Sequence, residues 1–298
     1  MIQQTNLGGS FTLPNTSIAF NRLGYGAMQL AGQGVFGPPR DVDAAVAVLR
    51  EAVALGVNHI DTSDFYGPHI TNQIIRQALH PYPENLVIVT KVGARRPADK
   101  SWQPALSRQE LIDAVHENLQ NLGLEAMDIV NLRVPGTGDH GSGVSEGLIA
   151  EPLSTLVDLK CQGLIRHIGL SNINAQQFKE AQAMTEIVCV QNQYNLAHRE
   201  DDALIDDLAQ RGVAYVPFFP LGGFTPLQSS KLDAAASSLQ ATPMQVALAW
   251  LLQRSPNILL IPGTSSVEHL RENLKAADLQ LPSQTVNDLN LIAVPAAH

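Results

Sequence analysis

The sequence has few of the residues that build disulfide frameworks or metal centres. Only Cys161 and Cys189 are present among 298 residues, and neither has a second cysteine or a histidine at the spacing of a metal site. Because cysteine is among the residue types most often buried, we expect both to be buried structural thiols. The low cysteine content predicts no metal and no disulfide, and it fits a reducing cytoplasm.

Basic residues and long apolar runs are also scarce. Lys and Arg number 19 against 28 Asp and Glu, which gives a net charge of −9 and no cluster of cations for phosphate contacts. The longest apolar run, Val246–Leu252, is far shorter than the roughly 20 residues of a membrane helix. Met1–Ser10 lacks the basic and apolar parts of a secretory signal. We expect a cytoplasmic protein that binds neither nucleic acid nor membrane.

What the sequence does contain is an alternation of short apolar runs and longer stretches with helical spacing. Eight such strand–helix repeats in about 250 residues predict a (β/α)8 TIM barrel. A doubly wound sheet has fewer strands and a glycine-rich phosphate turn, and neither G-x-G-x-x-G nor a Walker-type sequence occurs here. The runs that we interpret as strands are Arg22–Tyr25, Asn58–Asp61, Val87–Val92, Asp128–Val134, His167–Ser171, Val188–Gln193, Ala214–Phe219 and Ile258–Pro262.

The helical stretches carry apolar residues three and four positions apart, and Ser107 with Glu110 has the signature of a capping box. Helices are predicted at Val42–Ala54, Ile70–Leu79, Arg108–Leu122, Pro152–Cys161, Ala175–Ala183, Asp201–Arg211, Pro243–Arg254 and Val267–Ala276, with a C-terminal helix at Ser283–Ile292.

A hairpin within Ser10–Phe20, turning at Pro14-Asn15-Thr16, is expected to plug the barrel floor. The chain, 1–298, is predicted to be a single domain. Loops rich in turn residues follow four of the strands, so the site is expected at the C-terminal face of the barrel. These loops are Gly32–Arg40, Ala94–Ala105, Gly136–Gly147 and Leu221–Ser230.

Three polar residues stand near the ends of neighbouring strands. Asp61 ends one strand, Tyr66 follows five residues later, and Lys91 interrupts the β-branched run Val87–Val92. A lysine inside such a strand is costly to bury unless it is paired, so Asp61 is its expected counterion. A free tyrosine has a pKa of about 10, which a nearby cation lowers. Tyr66 is therefore a candidate general acid towards a carbonyl oxygen. The alternative is a structural Lys91–Asp61 pair beside a loop aromatic.

Several further segments occur in a specific order along the chain. They are His59-Ile60-Asp61-Thr62-Ser63-Asp64-Phe65-Tyr66-Gly67, Val89-Thr90-Lys91, Ile168-Gly169-Leu170-Ser171-Asn172, Gln191-Asn192-Gln193-Tyr194-Asn195, Pro220-Leu221-Gly222 and Ile261-Pro262-Gly263-Thr264-Ser265-Ser266. Together they resemble the aldo-keto reductase superfamily over about Gly24 to Asn273. The resemblance implies a barrel enzyme that transfers hydride from NADPH to an aldehyde or ketone.

The resemblance also implies roles for individual residues. Tyr66 would be the proton donor, with Lys91 and Asp61 as the pair that tunes it. Phe218 stands where relatives often have a tyrosine that stacks on the nicotinamide ring; the alternative is that it fills the barrel. The nicotinamide carboxamide would be bound by Ser171, Asn172 and Gln191. The other implied cofactor-binding residues are Gly26, Ala27, Met28, Asp61, Pro220, Leu221, Gly222, Gly263, Thr264, Ser265, His269, Glu272 and Asn273.

The segment Gly263–Asn273 matches the part of the family that binds the adenosine phosphate, where backbone amides at a helix start suit an anion. Many relatives have a lysine in place of Gly263 and an arginine in place of His269, and both of those residues read the 2′-phosphate. Arg271 could supply charge from nearby or could be an ordinary surface residue. NADP is the expected cofactor, and NAD is the less favoured one.

Strand four departs from the family pattern, which ends in His, an aromatic residue and Pro. Here Arg133 takes the position of the histidine that orients the substrate carbonyl. A guanidinium donates hydrogen bonds but stays charged, so we expect Arg133 to favour a substrate with an anionic oxygen beside its aldehyde. We also expect it to reinforce the effect of Lys91 on Tyr66. The alternative is an Arg133 side chain turned away into a salt bridge.

With the run Asp64–Pro68, Arg133 makes the chain similar to the bacterial branch that includes pyridoxal reductases. Pyridoxal has an aldehyde beside a phenolate oxygen. Two other functions stay open at this point. The same barrel serves in some relatives as a regulatory subunit of membrane channels that binds NADPH with little turnover, and a non-redox barrel enzyme is the third possibility. The sequence does not reveal the oligomeric state.

Overall fold

The computed structural model describes residues 6–136, 147–222 and 228–292. Short strands alternate with helices through these ranges. The strands are β1 (Ser10–Thr12), β2 (Ala19–Asn21), β3 (Tyr25–Gly26), β4 (His59–Asp61), β5 (Val87–Val92), β6 (Ala94–Arg95), β7 (Gln103–Pro104), β8 (Met127–Arg133), β9 (Ile165–Ser171), β10 (Ile187–Gln191) and β11 (Ala214–Tyr215).

Seven of these strands form one parallel sheet, in the order β3, β4, β5, β8, β9, β10, β11. The two edges of this sheet are joined by a segment that pairs with both of them. Ile258 bridges to Tyr215 of β11, and Leu260 bridges to Leu23 just before β3, both in parallel. The segment therefore lies at the position of an eighth strand and closes the sheet. The predicted (β/α)8 barrel is confirmed.

The helices cover the outside of this sheet. They are α1 (Val42–Ala54), α2 (Ile70–Leu79), α3 (Arg108–Leu122), α4 (Ala150–Cys161), α5 (Ala175–Met184), α6 (Asp202–Gln210), α7 (Ser230–Ser238), α8 (Pro243–Arg254), α9 (Val267–Leu274) and α10 (Ser283–Asn290).

Local sequence explains where these helices begin and end. Ser107 and Glu110 form the predicted capping box of α3, and Gly123 ends that helix with φ +69°. Thr242 caps α8, which carries Pro243 in its first turn. Because each cap satisfies backbone groups that the helix leaves unpaired, the strand-to-helix turns are held in place.

The N-terminal hairpin closes the floor of the barrel. β1 and β2 pair antiparallel, with Phe11 opposite Phe20. Leu13 and Phe20 are buried among inward-facing residues of the barrel, including Val89 and Leu259. The predicted position of the hairpin is confirmed, and so is the C-terminal helix, here α10.

The structure differs from the sequence prediction in several elements. The seventh predicted strand, Ala214–Phe219, is shorter in the structure: β11 ends at Tyr215, and an isolated bridge between Gln193 and Phe218 follows it. The helix α7 was not predicted, because its Ala- and Ser-rich sequence directly follows the predicted loop Leu221–Ser230 along the chain. Most of the predicted loop Gly136–Gly147 and positions 223–227 of the later loop lie outside the described residues.

The prediction that both cysteines are buried is wrong for one of them. Cys189 is buried inside the barrel, whereas Cys161, the last residue of α4, is exposed. Both thiols are free. In the described ranges no helix is long and apolar enough to cross a membrane.

Candidate active site

A cavity of about 230 Å³ opens at the carboxyl ends of the parallel strands. It brings together many of the residues singled out in the sequence. The predicted residues in its lining are Gly26, Met28, Asp61, Tyr66, Lys91, Arg133, Gln191, Phe218, Pro220, Leu221 and Gly263. The position of this cavity is the one in which barrel enzymes carry their active sites.

The polar centre of the cavity is a buried ion pair between neighbouring strands. Asp61 ends β4 and Lys91 lies near the end of β5, and Nζ of Lys91 is 2.5 Å from Oδ1 of Asp61. The ammonium also donates to the carbonyl oxygen of Thr62, at 3.0 Å. Burial alone would lower the pKa of Lys91, but the charge of Asp61, together with Tyr66, raises it above its ordinary value. Lys91 therefore stays a cation inside the barrel.

Tyr66 lies directly beside this cation. Nζ of Lys91 is 5.2 Å from the centre of the Tyr66 ring, and Tyr66 is one of the groups that raise the pKa of Lys91. The tyrosine is 7% exposed and packs edge-to-face against Phe65, with ring centres 5.3 Å apart. Its amide donates to the carbonyl oxygen of Ser63, whose hydroxyl donates to the carbonyl oxygen of Lys91. The turn after β4 thus fixes the phenol against the end of β5.

Arg133 ends β8 and faces the same cavity. Burial lowers the pKa of its guanidinium from the ordinary value, and the charge of Tyr66 acts in the opposite direction. A second cation therefore lines the cavity that contains the phenol. The cavity centre carries one carboxylate, Asp61, against the two cations Lys91 and Arg133.

The strands on the other side of the pair present amide and hydroxyl groups. Nε2 of Gln191 donates to Oδ2 of Asp61 at 2.8 Å. Within the described ranges, the buried atoms Oε1 of Gln191 and Oγ of Ser171 have no hydrogen-bond partner. Asn172, with φ +62°, follows Ser171, and its amide donates to the carbonyl oxygen of Gln191. Two buried polar atoms are thus available to a ligand that brings both a donor and an acceptor.

Aromatic and apolar groups cover the mouth beside them. Phe218 is half-buried and meets Phe219 edge-to-face, with ring centres 5.0 Å apart. Pro220 and Leu221 continue the lining, while Gly222 lies behind it and its amide donates to the carbonyl oxygen of Phe219. Phe218 therefore belongs to the aromatic part of the cavity lining.

The segment after the eighth strand starts with Gly263 in the cavity lining and continues into α9, which lies outside the lining. Gly263 lines the cavity, and a Cβ atom there would lie 2.5 Å from the carbonyl oxygen of Gly26. Ser266 caps α9 by accepting from the amide of His269. Arg271 is paired with Glu51 of α1 at 2.8 Å. The predicted residues outside the cavity lining are Ala27, Ser171, Asn172, Gly222, Thr264, Ser265, His269, Glu272 and Asn273.

Several residues of the lining were missed by sequence reasoning. Trp102 comes from the loop between β6 and β7, and Met244 from the start of α8, where no periodic pattern points inwards. Phe65 lies inside the predicted motif and could have been found from its place beside Tyr66. The complete set of missed residues is Gln29, Phe65, Trp102, Phe219, Met244, Ile261 and Pro262.

One group of potential metal ligands lies outside this cavity, formed by Asp64, His69 and Glu117. Oδ2 of Asp64 pairs with Nδ1 of His69 at 2.5 Å, and its Oδ1 accepts from the amides of Asn72 and Asn121. Since both carboxylate oxygens are engaged, the arrangement holds the turn before α2 rather than presenting free ligands.

Comparison with known proteins agrees with this geometry. Residues 22–293 match the sequence profile of the aldo/keto reductase family. The chain is 66% identical over 284 residues to pyridoxine 4-dehydrogenase of Escherichia coli (strain K12), covering 95% of this chain and 98% of that protein. A crystal structure of a thermostable aldo-keto reductase with the inhibitor epalrestat has a TM-score of 0.78 at 30% identity, covering 95% of this chain and 99% of the other. An aldo-keto reductase crystallised with NADPH has a TM-score of 0.73 at 25% identity, covering 97% and 89%.

The chain belongs to the aldo/keto reductase family. It is an oxidoreductase, as predicted, and the comparisons favour the enzyme over the alternative of a regulatory subunit.

Proposed function

We propose that this enzyme reduces an aldehyde to an alcohol with NADPH, and that Tyr66 supplies the proton. The observation that carries the proposal is the position of Lys91, a buried cation that pairs with Asp61 and lies 5.2 Å from the centre of the Tyr66 ring at the mouth of the barrel. A phenol is a weak acid at neutral pH, and a fixed cation beside it stabilises the phenolate that remains after proton donation.

The residues beside Asp61 fit the nicotinamide end of the cofactor. A carboxamide has one NH2 donor and one carbonyl acceptor, and it complements the unpartnered Oε1 of Gln191 and the hydroxyl of Ser171. The ring face of Phe218 supports stacking. When bound, NADPH supplies the hydride. Gly26 and Gly263 let the two strand ends at the cavity approach each other closely, since a Cβ on either residue would meet a backbone oxygen.

Each residue of the polar centre then has a separate task. Tyr66 donates a hydrogen bond to the carbonyl oxygen and gives up its proton as that oxygen becomes an alkoxide. Lys91 balances the charge left on the phenol, and Asp61 keeps Lys91 in place. The guanidinium of Arg133, on the same cavity wall, orients an oxygen of the substrate by donating to it.

The lining of the cavity favours a flat aromatic substrate with an anionic oxygen. Phe65 and Trp102 form one apolar side, and Arg133 is the cation within reach of an oxygen beside the aldehyde. Pyridoxal combines an aromatic ring, an aldehyde and a neighbouring phenolate. The relative named pyridoxine 4-dehydrogenase supports this choice, because alcohol dehydrogenation and aldehyde reduction are two directions of one reaction. We infer that pyridoxal is a substrate.

Two further inferences concern the protein as a whole. We infer that residues 1–298 form one domain, since one sheet and its helices run through the described ranges. We also infer that the enzyme works in the cytoplasm, because its exposed and buried cysteines are both free thiols, which a reducing compartment preserves.

The test is a kinetic assay of the purified protein with NADPH or NADH and a panel of aldehydes. The panel contains pyridoxal, 4-nitrobenzaldehyde and propanal, and nicotinamide absorbance reports turnover. We expect oxidation of NADPH with the aromatic aldehydes, faster than with NADH. Tight binding of NADPH without oxidation by any aldehyde would contradict a reductase, and absence of nicotinamide binding would favour a non-redox enzyme.

A further inference from the structure

Arg96 occupies an unusual position for an arginine next to the cavity. It is 7% exposed, and its hydrogen bonds run to backbone carbonyl oxygens, from Nη2 to Gly34 at 3.0 Å and from Nη1 to Val35 at 3.4 Å. The centre of its guanidinium lies 4.0 Å from the centre of the Trp102 ring. At this distance the cation and the indole face attract one another strongly, more so because water is excluded.

The guanidinium therefore joins two loops that flank the cavity. β6 and β7 pair antiparallel, with Arg95 opposite Gln103, and form a small hairpin that carries Arg96 and Trp102 at its tip. The second loop precedes α1 and contains the two carbonyl groups. On that side Arg96 also lies 5.7 Å from the ring of Phe36. Arg96 thus holds the tip of the hairpin to the loop before α1.

The indole that Arg96 holds is part of the cavity wall. Trp102 lines the cavity and meets Phe65 edge-to-face, with ring centres 5.8 Å apart, and Phe65 meets Tyr66 in the same manner. The carbonyl oxygen of Val35 also accepts from the amide of Gly67, next to Tyr66. Arg96 is therefore linked to the cavity through Trp102, Phe65 and Tyr66, which all line it.

We propose that Arg96 is a positioning residue that holds Trp102 as the wall against which the aromatic ring of the substrate stacks. Arg96 thereby sets the preference for aromatic over small aliphatic aldehydes without touching the substrate. The proposal rests on the proposed function, because it assumes that the cavity binds a carbonyl substrate.

The first test compares the kinetics of Arg96→Met, Arg96→Lys and Trp102→Ala. For Arg96→Met we expect KM for 4-nitrobenzaldehyde to rise about tenfold, the factor that corresponds to about 1.4 kcal/mol, with kcat within about twofold of wild type. KM for propanal, which is too small to reach the wall, stays unchanged. Arg96→Lys recovers part of the loss because it restores a cation. Arg96→Met adds nothing to Trp102→Ala if the two act as a unit.

The matched control is Arg95→Met, which removes a cation from the neighbouring residue. Arg95 is exposed and lies 3.4 Å from Glu110, away from Trp102. Its kinetics should equal those of wild type. Equal losses for 4-nitrobenzaldehyde and propanal in Arg96→Met, or wild-type KM values for both, would overturn the proposal.

The second test does not depend on turnover. The sequence contains two tryptophans, so a Trp250→Phe background leaves Trp102 as the sole fluorescent indole. In this background we expect Arg96→Met to shift the Trp102 emission to longer wavelength as water reaches the ring, while Arg95→Met does not. If no aldehyde is reduced but the shift occurs, the proposed function fails and the hold on Trp102 stands. Unchanged emission in Arg96→Met overturns the positioning role.

Discussion

The ammonium of Lys91 lies 5.2 Å from the centre of the Tyr66 ring, inside the cavity that both residues line. Lys91 is in turn fixed by Asp61, so the cation cannot move away when the phenol loses its proton. Removal of the phenol hydroxyl should therefore lower the rate of the chemical step without weakening cofactor binding.

We predict that Tyr66→Phe lowers kcat by roughly 10²- to 10⁴-fold, the usual contribution of a general acid. The phenyl ring keeps its packing on Phe65, so the dissociation constant of NADPH, measured by fluorescence titration, should stay within about twofold of wild type. Turnover at the wild-type rate would refute the role of Tyr66 as the acid. A loss of NADPH binding would instead assign the residue to the cofactor site.

The second prediction concerns Arg133, which adds a second cation to the cavity that Tyr66 and Lys91 line. Proton donation to the carbonyl oxygen needs a protonated acid, so activity is expected to be lost at alkaline pH. Arg133→Met removes a cation that favours the phenolate, and the alkaline limb of kcat should therefore move to higher pH. Arg133→His, neutral above about pH 7, should move it in the same direction. Unchanged limbs in both variants would exclude this influence.

The KM values of the same variants for different aldehydes provide a test that does not depend on the pH profile. If Arg133 binds the anionic oxygen, KM for pyridoxal should rise in Arg133→Met by more than KM for benzaldehyde, which lacks that oxygen. Equal changes for the two aldehydes would remove Arg133 from substrate selection.

The polar centre could be predicted from the sequence because its members stand at strand ends. Parallel strands place their carboxyl ends at one face, so Asp61 and Lys91 had to lie close together once the barrel was recognised. Trp102 could not be predicted in the same way. Its place depends on the pairing of β6 with β7 and on the cation of Arg96, and neither leaves a periodic signal in the sequence. Likewise, the buried face of α7 consists of Leu232 and the small residues Ala235 and Ala236, a weak apolar stripe, and Ser229 as N-cap was a second local indication.

His59 gives a prediction about stability at acid pH. It lies inside the barrel against Phe20, with ring centres 5.2 Å apart, and burial lowers its pKa to about 4. The unfolded chain takes up a proton near pH 6.5, whereas the folded protein does so only near its lower value. The contribution of His59 is therefore present above pH 6.5 and is lost as pH falls towards 4, by about 2.5 kcal/mol between pH 7 and pH 4.5.

Urea denaturation at these two pH values checks this prediction. In His59→Leu, which removes the titrating group, the drop in the free energy of unfolding should be smaller by about that amount. His116→Gln, on the exposed side of α3, serves as the control and should keep the wild-type drop. Identical pH dependence in His59→Leu and wild type would show that burial of His59 does not determine the acid sensitivity.

The last prediction concerns the segment Gly263–Asn273, which the family resemblance assigns to the adenosine end of the cofactor and in which Gly263 and His269 stand at the positions of a lysine and an arginine of many relatives. Restoring the lysine should fail, because its Cβ would lie 2.5 Å from the backbone oxygen of Gly26 and force the strand ends apart. We expect Gly263→Lys and Gly263→Ala both to lower Tm and to weaken NADPH binding. His269 is exposed on α9, so His269→Arg meets no such obstacle and should strengthen NADPH binding relative to NADH. Calorimetric titration of both cofactors measures the difference, and tighter NADPH binding by Gly263→Lys would show that the close approach of Gly26 can relax at no cost.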